Sequence, residues 1–160
     1  MTDEYDTVED SSGDGDDDAD RTRGRFDLRD HTADVAVEAT APTLGGVFAA
    51  VADGLTAAMC EAVPDGGERF PIRVRAESPE AALFDYLDEC IYERDVRRVL
   101  PTDHRAAVRE EDGEWVVDAS ARGVPLADVT ARDVKAVTYS EMALDRTDEG
   151  GWRAYVVFDV

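Results

Sequence analysis

The sequence predicts an α+β fold, a mostly antiparallel sheet covered by two main helices. Three features lead to this. Strand-like segments outnumber helical ones, the second half reads as hairpins, and only two stretches space their apolar residues as one face of a helix. In chain order, residues 26–39 read as a strand broken near Asp30-His31. Thr43 suits the N-cap of a first helix with Leu44, Val47, Phe48, Val51, Leu55, Ala58 and Met59 along one face. Gly45, Gly46 and Gly54 lower the intrinsic propensity of that helix, so packing must hold it. After a Pro/Gly loop over 61–69, Phe70, Ile72, Val74 and Ala76 alternate with Arg73 and Arg75 as a half-buried strand. Ser78-Pro79 opens a second helix, whose apolar face carries Leu83, Phe84, Leu87, Cys90 and Ile91. Strands are expected over 104–110 and 115–121, around the two-residue turn Asp112-Gly113. Two more are expected over 134–144 and 152–160. Residues 154–158 are apolar on both faces, which suits a central strand.

Composition sets the class. The 160 residues hold 38 acidic and 17 basic groups, a formal charge of −21. Gripping phosphates requires cations, so unaided nucleic-acid binding is disfavoured, as is docking on anionic lipid. No apolar run approaches the roughly 20 residues of a membrane span, and no secretory signal opens the chain, so a cytoplasmic protein is expected. Sixteen of the 17 cations are Arg, and Lys135 is the only lysine. An acidic, lysine-poor surface suits a halophile's cytosol, where molar salt screens self-repulsion. Residues 1–25 hold ten acidic groups and three arginines with few apolar side chains, and are expected to form a disordered acidic tail before a domain over 26–160.

Several chemistries are missing. The chain has no GxGxxG, no phosphate-binding P-loop and no GxSxG elbow. Its two histidines, His31 and His104, cannot build a three-His zinc site, and Cys60 and Cys90 fall on apolar helix faces, as small core residues do. Three spots remain. Asp30-His31-Thr32-Ala33-Asp34 gathers two carboxylates, an imidazole and a hydroxyl, which reads either as a polar strand break or as oxygen donors for a hard cation. At the chain end, Asp159 stands beside the α-carboxylate of Val160, two anions that either reach solvent or share a cation. Lys135 sits within Val134-Lys135-Ala136-Val137-Thr138-Tyr139, where a compact ammonium offers what a planar guanidinium cannot.

Taken together, His31-Thr32-Ala33-Asp34, Pro42-Thr43-Leu44, Leu83-Phe84-Asp85-Tyr86-Leu87, the lysine strand and the terminal Phe158-Asp159-Val160 resemble the archease family in order and spacing, over about residues 26–160. The resemblance implies a two-layer α/β sandwich. It implies a non-enzymatic activator of the RtcB-type, GTP- and manganese-dependent tRNA-splicing ligase, promoting its guanylylation and turnover and meeting tRNA only through that partner. It also implies a divalent metal, Ca²⁺ with Mg²⁺ or Mn²⁺ as alternatives, held by Asp34, Asp159 and the backbone oxygens of Val160, with His31, Asp30 and Lys135 as neighbours. One position departs from the family pattern: Ser140 stands where a histidine is common. Two other classes compete with this reading. One is a metal-dependent hydrolase using Asp34, Asp159 and His31. The other is a chaperone module for tRNA-modifying enzymes, for which Arg94, Arg97 and Arg98 form a small basic cluster.

Overall fold

A computed structural model describes residues 8–9, 24–30 and 34–160, without the side chains of 8, 9, 29 and 30. The strands are β1 (Val8–Glu9), β2 (Arg25–Asp30), β3 (Asp34–Ala41), β4 (Glu68–Ala76), β5 (Val99–Glu111), β6 (Glu114–Pro125), β7 (Ala136–Arg146) and β8 (Trp152–Asp159). The helices are α1 (Leu44–Met59) and α2 (Pro79–Arg97). Apart from the Val8–Glu9 pairing with β2 and the start of β2, the acidic segment lies outside the described residues.

The α+β class holds, with a division the periodicity did not reveal. The strands form two sheets, ordered β1-β2-β3-β8-β7 and β4-β6-β5, and every pairing is antiparallel. Each helix lies against strands of both. α1 packs on β2, β3 and β8 of the first sheet and β5 of the second, while α2 packs on β4, β5 and β6 and reaches β7. The segment expected as one broken strand is two strands. The two strands pair antiparallel, with Asp30 opposite Val35.

Both helix starts form as their caps require. Thr43 Oγ1 accepts from the amide of Gly46 at 2.9 Å, and Ser78 Oγ from that of Ala81 at 3.1 Å. Asp112 and Gly113 both have positive φ, 55° and 82°, as a tight two-residue turn between right-twisted strands demands. β8 lies between β3 and β7; Ala154, Val156 and Phe158 on one face are fully buried and Val157 on the other is buried as well, as its two-faced apolarity requires. Cys60 and Cys90 are buried free thiols, and burial pushes the Cys90 thiol pKa up, opposite to the shift a nucleophile needs. One polar network enters the core. The Thr56 hydroxyl contacts the Pro101 carbonyl (2.7 Å) and His104 Nε2 (3.1 Å), while the His104 amide donates to Asp53 Oδ1.

Candidate functional site

Three strands bring their ends together at one margin of the five-stranded sheet. Asp34 of β3 lies directly opposite Asp159 of β8, and Asp159 lies opposite Ala136 of β7. Directly opposite residues share a sheet face. That face is turned away from the core, because the alternate positions Val35, Val37, Val156 and Phe158 are the ones in the hydrophobic cluster. Like charges in such a pair repel. Among the described residues no basic side chain lies within ion-pairing distance of either carboxylate.

Lys135, expected inside a strand over 134–144, instead lies just before β7, and it joins the same end through the backbone. The Lys135 amide donates to the carbonyl of Asp159 at 2.8 Å, and the Lys135 side chain is exposed. Its neighbour Val134 is fully buried, and Arg94 of α2 donates Nη1–H to the Val134 carbonyl at 2.9 Å. Arg94, only 8% exposed, also contacts Asp95 (2.9 Å) and Asp133 (3.5 Å). The C-terminal turn of α2 thus fixes the approach to Lys135. Sequence reading placed Arg94 in a basic cluster, and its burial corrects that. Arg97 is likewise engaged, with Glu93 and with the face of Phe70 at 4.4 Å. Two of the three cations therefore serve packing and are not free for phosphates.

The candidate ligands Asp34, Asp159 and Val160 meet at this end. Val160, next to Asp159 in sequence, is half-buried and packs against the core. His31 and the Asp30 side chain lie outside the described residues. Among the described residues no three His, Cys, Asp or Glu side chains form a metal cluster; the register brings only Asp34 and Asp159 opposite each other here. Oxygen donors of this kind suit a hard cation, which would also relieve the Asp34–Asp159 repulsion.

Ser140 lies in an irregularity of β7. The ladder to β8 is lost between Thr138 and Ala143, and Glu141 takes φ 66°. This bulge leaves Tyr139, Ser140 and Glu141 exposed, and nothing in the alternation of the strand announced it.

Comparison with known proteins identifies relatives over the same part of the chain. The profile of the Archease protein family (MTH1598/TM1083) matches residues 26–160. A protein archease of Methanosarcina acetivorans is 32% identical over 145 residues, covering 85% of this chain and 96% of its own. One from Pyrococcus furiosus is 28% identical over 135 residues, covering 82% and 95%. The solution structure of Methanobacterium thermoautotrophicum protein 1598 superposes with a TM-score of 0.74 at 25% identity, covering 84% of this chain and 98% of that one. The profile spans the whole region after the acidic segment, and the motifs at Asp34, Lys135 and Asp159, far apart in sequence, converge on one sheet margin: this chain belongs to the archease family.

Proposed function

We propose that this chain activates an RtcB-type, GTP-dependent tRNA-splicing ligase by protein contact, without catalysing a reaction itself, and that it meets tRNA only through that ligase. The observation that carries the reading is the register Asp34↔Asp159, with the Lys135 amide bonded to the Asp159 carbonyl. That register makes one sheet margin anionic and places a single ammonium-bearing residue beside it. Asp34, Asp159 and the main-chain oxygens of Val160 would hold a divalent cation, Ca²⁺ or alternatively Mg²⁺ or Mn²⁺. When bound, such an ion would neutralise the facing carboxylates and let an acidic margin approach a nucleotide. Val160 orients the chain end through its packing, Arg94 holds the segment before β7 that carries Lys135, and Lys135 offers a point charge to phosphate.

Ligase labelling by radioactive GTP, with and without this protein, tests the reading. Wild type should speed guanylylation, and Asp34→Asn should fold normally yet lose most of the stimulation. Undiminished stimulation by both Asp34→Asn and Asp159→Asn would remove this margin from the function. Covalent label on the chain itself would make it an enzyme and overturn the proposal.

A further inference from the structure

The three exposed large hydrophobic residues among those described are Tyr92 (57%), Val96 (58%) and Tyr139 (53%). All three lie on α2 or on the strand beside it. Tyr139 stands on the β7 bulge with its ring stacked on Phe84, centroids 4.3 Å apart and planes 3° from parallel. Phe84 in turn packs against the hydrophobic core. Tyr139 is therefore held in place and yet open, which lowers the ordering cost of anything that lands on it.

The surroundings are anionic. Asp85, Asp88, Glu89, Tyr92 and Val96 recur at helical spacing along the outward side of α2, opposite the buried Leu83, Leu87, Cys90 and Arg94. Burial, and then the negative charge of Asp85, Glu80 and Glu77, raises the pKa of the Tyr139 phenol. Among the described residues none of Glu77, Glu80, Asp85 or Asp88 has a basic partner, whereas Arg69, Arg75, Arg105, Arg109 and Arg122 on the three-stranded sheet all pair with carboxylates there. Cations are committed on one side of the molecule, and anions are left open on the other.

We infer that the outward face of α2, together with Tyr139, docks an arginine-bearing segment of a partner protein. A guanidinium stacks on a phenol ring while its N–H groups meet carboxylates in a fork, and this surface offers both at once. Lysine matches the charge alone. Phosphate backbones are repelled, and a second copy of this face would set carboxylate against carboxylate. The face stands on α2 and the β7 bulge and does not depend on the Asp34–Asp159 margin, nor does its test involve the ligase.

The test titrates the full chain with a glycine-spaced tri-arginine peptide and its lysine counterpart, in a buffer where circular dichroism of every variant matches wild type. Calorimetry gives affinity, and aromatic NMR gives location. The arginine peptide should shift the Tyr139 and Phe84 ring signals and bind more tightly than the lysine peptide. Tyr139→Ala should weaken it by about tenfold, and Tyr139→Phe by less than about twofold, because the ring face and not the hydroxyl does the binding. Equal binding by Tyr139→Ala, or equal affinity for the lysine peptide, would reduce the surface to nonspecific charge and overturn the inference. A dimer in sedimentation that Tyr139→Ala dissolves would give the face to a second copy and overturn it too.

Discussion

His104 keeps its imidazole 6% exposed, and burial lowers its pKa to about 4. The Thr56 hydroxyl has one proton, and the shorter contact, to the Pro101 carbonyl, takes it; His104 Nε2–H then donates to Thr56. The hydrogen bonds thus set the Nε2–H tautomer, and burial keeps the ring neutral. A group whose pKa is depressed on folding contributes stability above its unfolded value, near 6.5, and loses it as pH falls toward 4. The melting temperature should therefore drop across that window, and His104→Gln, though less stable, should show a flatter slope. Glu89 has the opposite sign. Burial, then Glu93, raises its carboxyl to about 7, so its contribution is full below about 4.5 and fades as pH rises through 7. Glu89→Gln should remove that fading, read as a smaller difference in melting temperature between mildly acidic and mildly alkaline buffer. Residue types showed which groups titrate. Their environments depend on partners such as Thr56, far away in sequence, and no local pattern carries that.

Among the elements, α1 shows how a sequence can state a requirement without its cause. Its glycines argue against a helix, and the structure gives the reason for two of them. A Cβ on Gly45 would strike the carbonyl oxygen of Ala106 on β5, and one on Gly54 would come within 2.6 Å of Val37 Cγ1 on β3. The helix therefore touches one strand of each sheet at a glycine. Gly45→Ala would raise helix propensity yet push α1 off a backbone oxygen, and should cost about 1–3 kcal/mol in denaturant unfolding. Caps, apolar faces and the Asp112-Gly113 turn were legible because they are local chemistry. Strand ends were less so: β5 and β6 run beyond the expected 104–110 and 115–121, since the partner strand, not the propensity, sets where a ladder stops. The β7 bulge left no signal either, and it is the bulge that exposes Tyr139.

At the scale of the molecule, charge and topology govern different behaviours. A formal charge of −21 on 160 residues repels itself in dilute buffer. The melting temperature should rise as KCl increases from dilute to molar; a flat or falling curve would remove the halophilic reading. Two sheets rather than one could not be read from periodicity, because alternation reports a buried face and not which neighbour covers it. Among the described residues no helix is long and apolar enough to cross a membrane. The placement of β8 has a consequence for biosynthesis. It follows every other element in the chain yet pairs with β3 on one side and β7 on the other. Until residues 152–159 are available, β3 has a bare edge and β7 has no sheet partner, and the first sheet stays incomplete however well the β4-β6-β5 sheet has formed. A chain stopped before Trp152, though it lacks only the last nine residues, would keep that edge bare and be a substrate for chaperones and proteases. The strand that closes the sheet also delivers Asp159 to Asp34, so an aborted translation product cannot carry the assembled margin.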